Sequence, residues 1–213
     1  MTRAICQHCL RPSKACICQF VTPLNNKIHV VVLQHPSEEK QTKGTVTLLS
    51  RSLKQCQTIV GEDFTHNEAF MTVLERYHCF LLYPGEQVET LSKEQLAKSN
   101  ETDKPLCMVI LDGTWKKAYR MLQLNQPLQQ LPRMQLPETL ASSGKYIIRK
   151  VAKDNALSSL EACCFALALL EECEATTARE MSVIESSQYQ KLLDKFDEFN
   201  HFQLSFVPKA HQS

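Results

Sequence analysis

The stretch "VILDGTWKKAYRM", residues 109–121, decides how this chain is read. An apolar run ends on Asp112, passes Gly113 and opens into a helical pattern that carries the only tryptophan, Trp115. A run of Val, Ile and Leu without polar alternation implies a strand buried on both faces, as in parallel sheets covered by crossover helices. Beyond it, Trp115, Ala118, Tyr119 and Leu122 recur at helical spacing and make one face, while Lys116, Lys117 and Arg120 fall on another. Thr114 is placed to cap that helix. Asp112 therefore stands at the carboxyl end of a predicted central strand, the edge where open α/β sheets bind ligands. The bland alternative makes Asp112 a cap, Trp115 a core residue and the three cations a solvated face.

Working outward, apolar runs at 28–34, 78–83 and 145–149 join 107–112 as strands. Helical periodicity covers 43–56, 66–76, 91–98, 114–124, 158–173 and 185–200. The alternation implies an α/β fold, a mostly parallel sheet with helices on both faces. Pro127, Pro132 and Pro137 mark 125–140 as an extended loop. A chain of 213 residues suits one body, 21–213, with a small N-terminal segment, 1–20. Such a chain buries roughly 70% of its unfolded surface on folding. The formal net charge of +1 excludes a long basic tail and leaves room for a local basic patch. No apolar signal-like core opens the sequence, and the longest apolar run, 163–170, is too short to span a membrane. The C-terminal helix is amphipathic with mixed charge on its polar face, so it packs on the body rather than on lipid.

The ten cysteines divide into two groups. Cys56, Cys79, Cys107, Cys163, Cys164 and Cys173 sit in apolar or helical contexts and read as small buried hydrophobes in a reducing compartment, which makes the cytoplasm the expected location. The other four are spaced Cys6-x2-Cys9-x6-Cys16-x-Cys18 in a segment with no core of its own. Four thiolates close a tetrahedral shell around zinc and leave no open position, so the expected ion is structural. His8 lies inside the cluster as an alternative ligand, and a redox role, an iron–sulfur role or an empty site are the competing readings.

Four further segments fall at predicted element ends. In "LQHPSE", 33–38, Pro36 forces His35 into extended backbone, where it meets a phosphate or base or simply makes a turn. "LLYPGE", 81–86, shapes a pocket with its backbone or is a turn. "KYIIRK", 145–150, brings Arg149 to another strand end. "LSSLEA", 157–162, has the capping-box pattern of Ser158 with Glu161, at a helix start suited to an anion such as a carboxylate.

Taken in order, the four-cysteine pattern with Pro12, "LQHPSE", "LLYPG", "LDGTW", "YIIRK" and "LSSLEA" resemble the DTW-domain family. More narrowly they resemble its bacterial tRNA-uridine aminocarboxypropyltransferases. The resemblance runs from Arg3 to about Leu170. It implies a fold like that of knotted SPOUT-type RNA-modifying enzymes, a topology that periodicity alone argues against. It implies S-adenosylmethionine as donor substrate and tRNA as partner, with no protein partner. The implied reaction moves the 3-amino-3-carboxypropyl group to N3 of a uridine, forms acp3U and releases methylthioadenosine.

On that footing, Asp112 is the candidate base or orienting group, since N3–H is a weak acid. Leu82, Tyr83, Pro84 and Gly85, with Tyr146 and Ile148, would cradle adenosine and ribose. Thr114 and Trp115 would line the methionine portion, and Ser158 and Ser159 would hold its carboxylate. His35, Lys116, Lys117, Arg120 and Arg149 would neutralise tRNA phosphates. Presenting the γ-carbon rather than the methyl group is a matter of positioning, which contributes on the order of 7–11 kcal/mol when geometry is right. The competing functions are a SPOUT-type RNA methyltransferase and a non-enzymatic zinc-dependent RNA-binding module.

Overall fold

A computed structural model of the chain describes residues 4–9, 11–39, 41, 45–86, 88–99, 104–143, 157–172 and 180–206. Six strands form one sheet: β1 (His29–Gln34), β2 (Cys56–Val60), β3 (His78–Leu82), β4 (Glu89–Thr90), β5 (Leu106–Asp112) and β6 (Arg133–Gln135). Their order is β2-β1-β5-β3-β6-β4, and every neighbouring pair is parallel. The helices are α1 (Pro36–Glu39), α2 (Val46–Ser52), α3 (Glu68–Arg76), α4 (Lys93–Ser99), α5 (Trp115–Leu124), α6 (Gln126–Gln129), α7 (Glu138–Ala141), α8 (Ser159–Glu171), α9 (Glu180–Ser186) and α10 (Gln190–Leu204).

The alternation of the central strands divides the core in two. Val30, Val32, Met108, Ile110 and Phe80 face one side, with α2, α8 and α10. Val31, Leu33, Cys107, Val109, Cys79 and Leu81 face the other, with α3 and α5. This is the expected α/β arrangement with helices on both faces. α8 is apolar nearly all round, with Leu160, Cys163, Cys164, Phe165, Ala166, Leu167, Ala168 and Leu170 buried, as a helix interred between the sheet and α2, α9 and α10 must be. No helix among the described residues is long and apolar enough to cross a membrane.

Several boundaries differ from the sequence reading. Helix 43–56 shrinks to α2, because Cys56 opens β2, a short outer strand that is half exposed and lacks a long apolar run. Segment 125–140 is not an extended loop: its prolines punctuate α6, β6 and α7. Pro127 sits in the first turn of α6, where its missing N–H costs nothing. The strand expected at 145–149 and the residue Cys173 lie outside the described residues. Nothing in the order of the described strands establishes the SPOUT-like knot.

The N-terminal segment forms two 3₁₀ turns, Ser13–Ala15 and Cys18–Phe20. Ile17 and Phe20 enter the α8-side core. Phe20 meets Phe199 of α10 edge-on at 5.6 Å between ring centres, and Phe202 at 5.3 Å.

Candidate functional site

The carboxyl ends of β1 and β5 finish level, Gln34 opposite Asp112. From β1 the chain leaves through α2 on one face to β2, and from β5 through α5 on the other face to β6. Two connections that diverge to opposite faces and opposite sides open a crevice at the strand ends. Asp112 sits in that crevice.

Its buried carboxylate is held from two elements. Ser159 at the start of α8 donates its hydroxyl to Oδ1 at 2.7 Å, and the Gln34 amide donates to Oδ2 at 3.0 Å. The backbone carbonyl of Asp112 accepts from His35 N–H at 2.9 Å, so the β1 end is also tied to the turn. Asp112 is not the cap of α5: Thr114 is, accepting the Lys117 N–H at 3.4 Å. Gly113 has a steric reason. A Cβ there would stand 3.2 Å from the Lys117 Cβ and 3.6 Å from the His35 Cβ.

The capping box at α8 is real. Glu161 accepts the Ser158 N–H at 2.8 Å and gives its own N–H to the Ser158 hydroxyl at 3.2 Å. Ser158 is buried and Ser159, half-buried, bonds Asp112. The helix start is thus built into the crevice.

The basic residues are mostly occupied. Lys117 Nζ donates to the buried carboxylate of Glu38 at 2.9 Å and to the Ser37 hydroxyl at 2.6 Å. Arg120 pairs with Glu62 at 2.8 Å. His35 Nδ1 accepts the Ser37 N–H at 3.2 Å, which assigns its proton to Nε2, 3.6 Å from Glu62. Glu62 is placed by Asn125, whose fully buried amide donates to the Glu62 carbonyl at 2.8 Å and accepts from Phe64 N–H. Of the cations expected to meet phosphate, only Lys116 is exposed with no partner among the described residues. Arg149, Tyr146 and Ile148 lie outside the described residues.

The aromatic face also differs from the expectation. α5 buries Ala118, Met121 and Leu122, whereas Trp115 and Tyr119 are exposed. The helix start lies at the rim of the sheet, and neither ring belongs to a core cluster among the described residues. Tyr83, from the end of β3, meets Trp115 edge-on at 6.1 Å. Leu82 turns toward the α8 side and Tyr83 toward the α5 side, while Pro84 and Gly85 are exposed beyond them. Sequence reasoning missed Gln34, Glu38 and Glu62. Gln34 and Glu38 flank His35 in "LQHPSE", and a polar residue closing an apolar strand was the available signal.

Two hollows lie elsewhere. Clefts of about 390 and 490 Å³ open at the amino edge of the sheet, one beside His78 and Lys104, the other beside Lys27 and Leu106. The polar convergence at Asp112 is the better candidate for chemistry because it lies at the carboxyl ends of the strands. In the second cleft, by contrast, Glu171 is taken up by the Lys27 and Ile28 N–H groups and the Tyr189 hydroxyl.

At the N-terminus the sulfurs of Cys6, Cys9, Cys16 and Cys18 all lie within 4.8 Å of one another. Cys6 and Cys18 are 3.7 Å apart, Cys9 and Cys16 3.8 Å. Four sulfurs about 2.3 Å from a tetrahedral centre stand about 3.8 Å apart, so the cluster fits a four-thiolate metal site. The spacing is far too long for disulfides. His8 is exposed and outside the cluster. The backbone N–H groups of Cys9 and His8 draw the Cys6 thiol down to about 6, while burial and the neighbouring sulfurs push Cys18 up to about 12. Four crowded thiols do not all ionise without a cation.

Comparison with known proteins bears on what this assembly belongs to. The chain is 31% identical over 197 residues to tRNA-uridine aminocarboxypropyltransferase 2 of Macaca fascicularis, covering 88% of this chain and 64% of that protein. The protein of the same name from Mus musculus is 30% identical with the same coverage. That from Drosophila melanogaster is 30% identical over 173 residues, 78% of this chain and 66% of its own length. The chain thus spans somewhat under two thirds of these relatives, which are animal proteins and so do not establish the bacterial subgroup. No solved structure matches it. The DTW domain matches residues 3–204, from before the first cysteine of the cluster to the end of α10, and the chain belongs to the DTW-domain family.

Proposed function

We propose that this protein transfers the 3-amino-3-carboxypropyl group of S-adenosylmethionine to N3 of a uridine in tRNA, in the variable loop, forming acp3U and releasing methylthioadenosine. The observation that carries the reading is the meeting of Gln34, Asp112 and Ser159 at the switch point of the sheet, in a chain whose relatives bear that enzyme's name.

S-adenosylmethionine supplies an electrophilic γ-carbon on a sulfonium. Uridine N3 gains the bond to that carbon as the carbon–sulfur bond breaks. The N3 proton passes to the Asp112 carboxylate, and the sulfur leaves as a neutral thioether. An ionised carboxylate offers about four acceptor positions, and Gln34 and Ser159 use only two. Asp112 therefore retains capacity for N3–H while its orientation stays fixed. The Ser158 hydroxyl hydrogen and the Ser159 backbone N–H hold the donor's carboxylate at the start of α8, where the helix dipole favours an anion, since the Ser159 hydroxyl is given to Asp112. Leu82, Tyr83, Pro84 and Gly85, with Tyr146 and Ile148, cradle the adenosine. Thr114 and Trp115 wall the α5 side.

Lys116 and Arg149 contact tRNA phosphates directly. His35, Lys117 and Arg120, being engaged with Ser37, Glu38 and Glu62, contribute through the field around the turn. Residues 1–20 form a structural zinc segment and 21–213 the catalytic body, with a SPOUT-like arrangement around the donor, as in the bacterial enzymes. Zinc is the ion of choice because four thiolates favour it and leave no catalytic position.

The test is nucleoside mass spectrometry of unmodified tRNA incubated with the purified protein and S-adenosylmethionine. Equal amounts of acp3U and methylthioadenosine are expected. Methylated uridine with S-adenosylhomocysteine would replace the reading with a methyltransferase. Absence of both products and of donor binding in calorimetry would leave a zinc-dependent RNA-binding module.

A further inference from the structure

The crevice leaves one neighbouring surface unexplained. Trp115 and Tyr119, one turn apart on α5, are 52% and 57% exposed, although the same helix has a well-buried face. Tyr83 leans on Trp115 with its ring at 70°. Burial, followed by the nearby Tyr119, raises the Tyr83 phenol above its ordinary value, while Arg133 pulls it down. Tyr83 thus joins the aromatic pair, with Trp115 against it and Tyr119 one turn further along α5. Arg133 is exposed at the start of β6, its guanidinium 3.8 Å from where a Cβ on Gly85 would stand. Unlike Lys117 and Arg120, neither Arg133 nor Lys116 has a side-chain partner among the described residues.

Strand alternation fixes where this patch lies. Asp112 bonds Ser159 on the α8 side of the sheet rim, whereas Tyr83 packs with the α5-side core. The aromatic rings thus stand across the rim from the carboxylate, with only Gly113 and Thr114 between Asp112 and Trp115. Open aromatic faces flanked by unpaired cations suit a ligand with flat rings and negative charge along its backbone. A single-stranded nucleic acid has both, and stacking on such rings is its usual mode of capture. A purely apolar protein partner would leave the two cations unanswered.

We propose that Tyr119 and Arg133, with Trp115 and Lys116 at their edges, form a subsite for an unpaired nucleotide next to the modified uridine. Tyr119 stacks on the base and Arg133 holds a phosphate. A strand of RNA crossing the rim then leaves one nucleotide on the α5 side and delivers the next to Asp112. This subsite rests on the RNA-modifying function proposed above.

The experiment measures tRNA binding by fluorescence anisotropy and steady-state transfer with tRNA and donor varied separately. Tyr119→Ala should raise both Kd and KM for tRNA by about 5- to 100-fold, with the donor's KM unchanged and circular dichroism native. Tyr119→Phe should restore binding, since the ring and not the hydroxyl does the stacking. Arg133→Ala should lower the slope of log affinity against log salt by about one. If the wild-type protein binds and modifies tRNA while Tyr119→Ala matches it in both numbers, the subsite is overturned and the activity stands. That same result would be seen if the patch served a protein partner. A rise in the donor's KM alone would assign the patch to the donor and equally overturn it. A wild-type protein that neither binds nor modifies tRNA would overturn the function and the subsite together.

Discussion

The cysteine cluster and the Asp112 turn both gather polar groups at one point, and the fold completes them in opposite ways. Around Asp112 every bond comes from the chain itself: Gln34 and Ser159 supply the donors, and β1, β5 and α8 supply rigid anchors. At the N-terminus four sulfurs face one another, and the bonds between them run from thiol to thiol, with the Arg11 charge acting on Cys9 and Cys16. The turn is organised before any ligand arrives. The cluster has the geometry of a site whose order depends on an ion. The contrast separates a preorganised candidate site from a cluster whose order would depend on an ion.

Metal removal is the largest way to break that contrast. Structural zinc contributes on the order of 10 kcal/mol or more in isolated finger peptides. Here the loss is smaller, because Ile17 and Phe20 remain in the α8-side core. A loss of several kcal/mol is expected, which at about 2–4 °C per kcal/mol is a fall in Tm on the order of 10 °C. Calorimetry before and after a chelator, with hydrogen exchange at 6–18, checks it. An unchanged Tm in metal-stripped protein would mean that aromatic packing alone holds the segment.

Asp112→Asn attacks the preorganised side. Turnover should fall by about 10²–10⁴-fold, the range for a positioned proton acceptor, while donor affinity persists. The new amide must turn one of its donors toward Gln34 or Ser159, so a stability loss of about 1–3 kcal/mol accompanies it. Measuring both on one preparation separates them. Transfer at near-normal rate would reduce Asp112 to a tie between β1 and α8.

How much of this was legible beforehand follows from what each signal encodes. The central strands were visible because burial on both faces forces an unbroken apolar run, and α8 because its capping box is a four-residue code. The cysteine spacing survived for a similar reason: it is local. β2 and β6 escaped because a half-exposed edge strand of five residues and a strand of only three have no such pattern, and the prolines around β6 look like those of a loop. The partners of Asp112 escaped for another reason. Gln34 and Ser159 lie 78 and 47 residues away, and only the parallel register brings them together. The exposure of Trp115 was not legible because helical periodicity says which residues share a face, not whether anything covers it.

The ion pairs beside the turn sharpen the comparison at intermediate size. Glu38 is 5% exposed and Lys117 reaches it from α5. Lys117→Met leaves a buried carboxylate short of its cation, at a cost of about 1–3 kcal/mol. Glu38→Gln in the same chain should recover part of it. Urea denaturation of the single and double variants gives the coupling. Lost tRNA affinity at full stability would instead mark Lys117 as a direct phosphate contact.

The smallest effect belongs to Lys116, and it is the cleanest discriminator between a working face and a solvated one. Lys116 is exposed on the first turn of α5 and has no partner among the described residues. Its removal therefore breaks nothing inside the protein, and stability should stay within about 0.5 kcal/mol. If it meets a phosphate, Lys116→Ala releases about one counterion fewer on binding, and the salt slope for tRNA drops by about 0.7–0.9. Affinity falls only a few-fold at ordinary salt. The fall should be the same for every tRNA, since a phosphate contact carries no sequence information. Lys116→Arg keeps the charge and should keep the slope. An unaltered slope in Lys116→Ala would show that the rim beside Trp115 faces water in the complex. The RNA would then approach Asp112 from the α8 side, and the subsite at Tyr119 and Arg133 would lose its charged edge.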